Sequence, residues 1–501
     1  MPQAPEIDSD YPKGETPCWP VRKVMLGGDK AQDFTWAVTA SDDALGRCLG
    51  SAGMNVLLGR IQNALVQAGF VTTRVLAPPQ DLRSGTVTLV LVPGRIRNIR
   101  FADPVTRTST WNVFPAREGE MLNLRDIEQA LENYKRVPTA DADIQIAAAE
   151  QPGESDLIVK WGQQRRVRFS VSADDSGSDS SGKYQGSGTV SVDNPLGLQD
   201  LFYVSLNHHL YGAAQPGDNG TRGTTVHYSI PFRYWLLSLQ SSGYRYHQTV
   251  AGATEDYLYS GTSRNSELKL SRLVYRDASR KTTLSLQSYQ RQSRNYIDDT
   301  EVEVQRRRTG GFTLALAHRE FIGEVTVDAN LAYKRGTGAF GSLRAPEEAF
   351  GEGTSRPVLI NVDLALTWPL TKQLQYQASW RAQWNRTALT PQDLFAIGGR
   401  YTVRGFDGES SLVAERGSLL RNDLIWAPAA SQQLYLGIDA GRVSGPGQAR
   451  LLGSSLAGVA VGWRGQFHGL QYDLSVGKPI HKPEGFKTAS FARTLSLNYS
   501  F

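Results

Sequence analysis

From Arg165 to Phe501 the chain is written in a period of two. Around 357–368, Val358, Ile360, Val362, Leu364 and Leu366 alternate with Asn361, Asp363 and Thr367. In the last run Leu495, Leu497, Tyr499 and Phe501 alternate with Ser496, Asn498 and Ser500. Successive side chains of a strand point to opposite faces, so each run presents one apolar and one polar face. Roughly sixteen such runs of about 9–16 residues are predicted, from 165–175 to 488–501, near the length at which a tilted strand crosses a bilayer. Short connections (Pro231, Asp277–Ser279, Pro369–Thr371, Ala427–Ser431, Gly465–Phe467) take turns with long polar ones (Gly212–Arg222, Gly336–Arg356, Thr387–Glu415). Short turns on one side and long loops on the other predict a membrane β-barrel of about 16 antiparallel strands over residues 164–501.

Before Arg165 the texture differs. Residues 1–17 hold Pro2, Pro5, Pro12 and Pro17 and are expected to form a non-helical tail. A strand is predicted at Pro20–Leu26. Met54, Val56, Leu57, Leu58, Ile61, Leu65, Val66 and Ala68 then recur at helical spacing over 53–69, with Gly69 at the stop. Strands at Phe70–Ala77 and Thr86–Val92 follow. The order repeats as a strand at Arg97–Phe101, a helix from Leu124 capped by Asn123, and strands at Ala142–Ala148 and Ser155–Trp161. Residues 18–93 and 94–163 are therefore read as two small α/β units, whose open sheet edges suit capture of an extended polypeptide.

Composition changes little of this picture but excludes alternatives. A mean hydropathy of −0.36, with no apolar run long enough for a spanning helix, excludes a helical membrane protein and leaves a barrel open. The 49 Gly, 20 Tyr and 10 Trp suit many turns and aromatic girdles. A net charge of +5, spread along the chain, gives no nucleic-acid surface. MPQAPEIDSD lacks the basic start and apolar core of a secretory leader, so a mature sequence with an added Met is expected. The two cysteines, Cys18 and Cys48, are expected to form one disulfide in an oxidising periplasm.

The candidate chemistry is electrostatic. In the run 434–443, Leu434, Leu436, Ile438 and Ala440 share one face and Tyr435, Gly437, Asp439 and Gly441 the other. If the first face meets lipid, Asp439 faces an enclosed interior and needs a compensating charge. Arg404, between Val403 and Gly405 in the long loop at about 388–415, is the cation that an inward fold of the loop would bring to it.

Two small α/β units, a sixteen-strand barrel and Val403-Arg404-Gly405-Phe406 in a long late loop together resemble the transporters of two-partner secretion, or TpsB proteins, of the outer-membrane protein-insertase superfamily. Gly437-Ile438-Asp439-Ala440-Gly441 is similar to that superfamily's (F/G)xDxG pattern, and the resemblance covers essentially the whole chain. It implies that the small units are periplasmic POTRA domains and that 403–406 form the tip of a loop folded into the lumen. Asp439 would be the loop's partner on the barrel wall, with Gly437 and Gly441 leaving it room. It further implies export of an unfolded TpsA-type exoprotein, recognised by its N-terminal secretion domain. A haemolysin, an adhesin or a contact-dependent growth-inhibition toxin would each fit. Outer-membrane lipids, the barrel-assembly machinery as inserter, and a monomeric state complete the expected partners, with no cofactor, metal or nucleic acid. The paired cysteines resemble the haemolysin and contact-inhibition branch. Many members begin with a pore-plugging helix, which the prolines of residues 1–17 do not favour, so it is either absent or removed.

Two alternatives remain in the barrel class. An insertase usually has more POTRA domains, and a passive porin gives no reason for two periplasmic units. Catalysis is not expected. His208 and His209 are adjacent in a strand and are expected on opposite faces, and neither HExxH nor GxSxG is present.

Overall fold

The structure, a computed structural model, describes residues 10–104, 107–180, 182–210, 219–253 and 255–501. Among these, sixteen strands close an antiparallel barrel, from Val167–Asp174 to Ala492–Ser500, with the two-residue strand Thr300–Glu301 as an extension on Arg280–Ile297. The first strand pairs with the last from Ser500↔Ser170 to Ser496↔Asp174, which closes the ring. Most of the loop expected at Gly212–Arg222, and the start of the expected tail, lie outside the described residues.

Alternation gives the barrel its two surfaces. On Gln432–Ser444, Tyr435, Gly437, Asp439, Gly441 and Val443 are buried, while Leu434, Leu436 and Ile438 are exposed. Large apolar side chains on the outside of a closed sheet with no edge need a non-aqueous surrounding.

Three strands run well beyond the expected bounds. Trp235–Ala251, Asp256–Arg276 and Arg280–Ile297 have 17, 21 and 18 residues, against roughly 9–11 for a crossing. The added part, including Tyr257–Ser263, carries mixed polar residues with no apolar face to mark it. Cross-strand backbone pairing continues the ribbon there, joined by tyrosine contacts such as Tyr246 hydroxyl to Asn295 Oδ1 at 3.1 Å. Two turns also shift. Pro231 lies within a strand opposite Leu236, and the turn is Arg233–Tyr234, with Arg233 in the left-handed region. The turn expected at Gly465–Phe467 is made by His468–Gly469.

The segment before the barrel has two units of the same topology. In the first, Lys23–Gly28 pairs parallel with Thr86–Val92, which pairs antiparallel with Arg74–Leu76. In the second, Arg95–Phe101 pairs parallel with Glu154–Gln163, which pairs antiparallel with Ala140–Ala148. One helix covers each sheet, Ser51–Gln67 and Leu124–Tyr134. Leu57, Ile61 and Leu65 fill the first core, and Ile127, Ala130 and Tyr134 the second.

The helix Ser51–Gln67 has no capping side chain of its own, because Gly50 stands at its start. Glu15 supplies the acceptors from far away: Gly50 N–H, Ala52 N–H and Gly53 N–H donate to its carboxylate at 2.7, 2.9 and 3.0 Å. Those are the donors a helix leaves unsatisfied, and a carboxylate there also complements the dipole. Tyr11 is buried beneath Arg47 and Arg60. Residues 10–17 thus pack on the first unit instead of trailing from it. Cys18 and Cys48 are disulfide-bonded with Cα atoms 5.3 Å apart, beside a pairing of Trp19–Pro20 with Cys48–Leu49.

Helix Leu124–Tyr134 also seats the second unit on the barrel's rim at the end of the short turns. Glu132 pairs with Lys281 and accepts from Arg276 Nη2 at 2.8 Å, and Asn133 Nδ2 donates to the Arg233 carbonyl at 2.9 Å.

Candidate functional site: a loop held inside the barrel

Between Asn385 and Arg416 the chain leaves the barrel wall and folds inward. Its two limbs form a short ribbon, Phe395–Ile397 against Leu412–Ala414. Phe395, Ile397, Val403, Phe406 and Leu412 make an apolar cluster with Leu419, Val443 and Leu456 of the wall and Phe486 of the last outer loop. Each such side chain withdrawn from water contributes about 1.5–3 kcal/mol. The cluster explains how a polar loop is retained within a lumen.

Arg404 lies at the tip and is buried. Its Nε donates to Asp439 Oδ2 at 2.7 Å and its Nη2 to Asp439 Oδ1 at 2.7 Å, a two-pronged guanidinium–carboxylate pair. The Arg404 backbone N–H adds a third bond to Asp439 Oδ2 at 2.9 Å. Nη1 donates to Asp423 Oδ1 at 2.6 Å. Asp439 also faces Arg421 at 3.8 Å, so two guanidiniums meet two carboxylates in one cluster whose centre, Arg404 and Asp439, is buried while Arg421 and Asp423 are half-buried. A buried carboxylate without such partners would be strongly unfavourable.

The glycines around this cluster are spaces of defined use. A Cβ on Gly437 would lie 2.4 Å from Arg404 Nη2, so only glycine lets the guanidinium reach Asp439. Gly405 has φ +100°, and a Cβ there would lie 2.5 Å from the Lys478 carbonyl. Gly441 faces Ile397 and Val403 of the loop. Phe406 packs edge-on to Phe486 with ring centroids 5.8 Å apart.

The structure therefore brings Val403, Arg404, Gly405 and Phe406 against the wall that carries Gly437, Asp439 and Gly441. Sequence reasoning missed Arg421 and Asp423. The signal was present: both share the inward parity of the buried Leu419 and Ile425, opposite the exposed Leu420, Leu424 and Trp426. It also missed two further tethers of the loop. Asp393 pairs with Lys334 at 2.6 Å and Arg291 at 3.8 Å, and Arg400 pairs with Asp175 at 2.6 Å. The histidines expected on opposite faces differ from that expectation. The rings of His208 and His209 stack at 4.5 Å near the strand's outer end, where His208 turns back with Nδ1 2.6 Å from the His209 carbonyl.

With this geometry in place, three kinds of likeness bear on it. Residues 153–465 match the family described as "Haemolysin secretion/activation protein ShlB/FhaC/HecB". Residues 19–94 match the ShlB-type POTRA domain, and 95–148 a second POTRA description. The outer membrane transporter CdiB-2 of Burkholderia pseudomallei (strain 1026b) is 34% identical, over 100% of this chain and 90% of that protein. The hemolysin transporter protein HpmB of Proteus mirabilis is 25% identical over 86% of this chain and 77% of its own length. Among solved structures, CdiB from Acinetobacter baumannii superposes with a TM-score of 0.85 at 30% identity, covering 97% of this chain and 91% of that one.

Proposed function

The chain belongs to the haemolysin secretion/activation (ShlB/FhaC/HecB) family of outer-membrane transporters, and from that premise we propose how it carries a partner exoprotein to the cell surface. Its barrel lies in the outer membrane and its POTRA domains in the periplasm. The first unit, residues 18–93, and the second, 94–163, bind the exoprotein's N-terminal secretion domain as an extended strand. The barrel then conducts the unfolded chain outward as the loop at 388–415 moves aside. Folding of the cargo outside supplies the drive.

The latch is Arg404 on Asp439, with Val403 and Phe406 as the apolar seat and Gly437, Gly441 and Gly405 as the clearance. The cargo is of the contact-dependent growth-inhibition type, the reading favoured by 34% identity to CdiB-2 along the whole chain. The barrel-assembly machinery inserts the transporter, which works as a monomer without cofactor.

The observation that carries this reading is the loop itself, held in the lumen by a buried ion cluster and an apolar seat. A passive pore gains nothing from so firm an obstruction, whereas a gated conduit for a chain requires one. The test is secretion of the exoprotein encoded beside this gene, with and without this chain, in a strain whose outer membrane is otherwise intact. Exoprotein outside the cell only when the chain is present is the expected result. Unchanged release, with other barrels assembling poorly in its absence, would replace this function with that of an insertase.

A further inference from the structure

The lipid-facing surface of the barrel continues onto the second POTRA domain at one place. Phe232 pairs directly with Trp235, and Trp235 with Arg272, so the three share one face of the sheet. That face is the outer one, since Leu268 and Leu270 on the same parity as Arg272 are exposed. The Arg272 guanidinium lies 5.1 Å from the Trp235 ring centroid. All three stand at the periplasmic end of their strands. Aromatic rings with a cation at the end of a lipid-facing surface form the belt that meets lipid headgroups.

Trp111 belongs to the POTRA domain, between its strand Arg95–Phe101 and its helix Leu124–Tyr134. The residues that follow it, Asn112, Val113 and Phe114, are buried, yet Trp111 is 59% exposed. Its ring lies 5.9 Å from that of Phe232. The position is fixed from beneath. Asn112 Nδ2 donates to the Leu198 carbonyl at 2.9 Å and the Pro231 carbonyl at 3.3 Å, and its own carbonyl accepts Arg233 N–H at 2.6 Å. Asn112 thus ties this segment to two periplasmic turns and leaves the neighbouring indole on the outer edge. Arg233, whose guanidinium stands 5.5 Å from the Phe232 ring, adds a cation at the same edge.

We propose that Trp111 anchors the second POTRA domain in the periplasmic leaflet of the outer membrane. Its indole enters the headgroup region beside Phe232, and Arg233 and Arg272 face lipid phosphates. Tryptophan suits this place because its ring is apolar while its N–H is satisfied by the wet interface. Continuity with the lipid-facing belt singles out lipid as the occupant, and the proposal rests on the outer-membrane reading of the barrel. The anchor would hold the domain at one tilt beneath the pore, where cargo enters.

Cys18 and Cys48 are joined, so a single added thiol is the sole labelling site. Trp111→Cys, Leu270→Cys on the barrel exterior and Leu76→Cys on the first unit would each carry a bimane probe. The full chain is placed in phosphatidylethanolamine–phosphatidylglycerol nanodiscs containing lipid spin-labelled near the headgroup. The proposal expects a loss of emission at 111 close to that at 270, with little at 76. Quenching at 270 but not at 111 would overturn the anchor while leaving the membrane barrel intact. No quenching at either would remove the membrane reading and the anchor with it. Shielding at 111 that appears only on adding exoprotein would overturn it in favour of a cargo surface. Should the cysteine variant fail to assemble, wild type and Trp111→Phe in brominated-lipid nanodiscs decide the matter: the wild type should lose the greater share of tryptophan emission, and equal losses would count against the anchor.

Discussion

Arg400 Nη2 donates to Asp175 Oδ1 at 2.6 Å, and the same carboxylate oxygen accepts the Leu495 backbone N–H at 2.9 Å. One carboxyl group therefore joins the lumenal loop, the end of the first barrel strand and the last strand. The register of those strands runs to Ser496↔Asp174; beyond it the Asp175 N–H donates to the Leu495 carbonyl at 3.3 Å, and the Asp175 side chain supplies the return bond. The position of the loop and the closure of the barrel's seam are coupled at the outer end.

Asp175→Ala should loosen that end of the seam. Charged hydrogen bonds of this kind contribute about 1.5–3 kcal/mol each, and two are lost. Hydrogen exchange at the Leu495 amide should accelerate, while amides at the periplasmic end of the last strand stay protected. Arg400→Ala should give a smaller acceleration, because the Leu495 bond remains. Unchanged exchange in both variants would uncouple loop from seam.

Arg404→Ala strips the buried Asp439 of its guanidinium partner and leaves it the backbone N–H of residue 404 and Arg421, 3.8 Å away. Removing one partner of a buried pair costs about 3–5 kcal/mol. Secretion should fall sharply, while the barrel remains assembled and heat-modifiable, because its strands pair independently of the latch. Arg404→Lys should fall between, keeping the charge without the two-pronged geometry. Normal secretion by Arg404→Ala would remove the latch from the mechanism.

Gly437→Ala tests the same contact from the wall. The added methyl would lie 2.4 Å from Nη2 of a guanidinium already held by two carboxylates, so the side chain has no easy retreat. It should reproduce the Arg404→Ala defect although every charge is present. Gly188→Ala, where a Cβ meets nothing within 4 Å, should secrete as wild type. Equal secretion by both glycine variants would show that the approach at Gly437 is not required.

Asp439 was legible because strand parity needs only one assumption, that the Leu436 face meets lipid. The same parity would have delivered Arg421 and Asp423, whose strand was read without asking which residues shared the inner face. Arg400 and Asp175 were not legible. They lie 225 positions apart, one at the end of a strand run and one in a loop, and their contact exists only once the ring has closed. Glu15 escaped for the same reason, since a helix start that opens on Gly50 gives no local hint that its cap lies upstream of the disulfide. The outer extensions of Trp235–Ala251 and its neighbours were hidden because apolar alternation marks the lipid, and beyond the lipid a paired ribbon needs no such mark.

Replacing Cys18 and Cys48 by Ser should weaken the first POTRA domain by about 2–4 kcal/mol, through the freedom returned to its unfolded chain. The disulfide spans a separation of 30 residues and holds Trp19–Pro20 on Cys48–Leu49. Limited proteolysis of the full chain should cut within residues 18–50 sooner, with the barrel unaffected. Unchanged cleavage would mean that Glu15 and the Tyr11 contacts suffice.

The seat of the second POTRA domain carries two carboxyls that respond oppositely to pH. Burial alone would raise the Glu132 carboxyl, but hydrogen bonding and charge from Lys281 and Arg276 outweigh it and hold the carboxyl below its ordinary range. A depressed carboxyl contributes stability above its unfolded pKa of about 4.3 and loses it as pH falls through the folded value. Asp126 is raised by burial, which the Tyr234 hydroxyl offsets only in part. A raised carboxyl contributes stability below its unfolded pKa of about 3.9 and loses it as pH rises through the folded value. At neutral pH the contact therefore gains from Glu132 and pays for Asp126. Glu132→Gln should loosen the seat at pH 7 and leave little further loosening below pH 4, read as protease access to the turn Arg233–Tyr234. Asp126→Asn should tighten it at pH 7, because an amide still accepts from Tyr234 and carries no buried charge. A looser seat in Asp126→Asn would mean that the carboxylate charge itself is needed there.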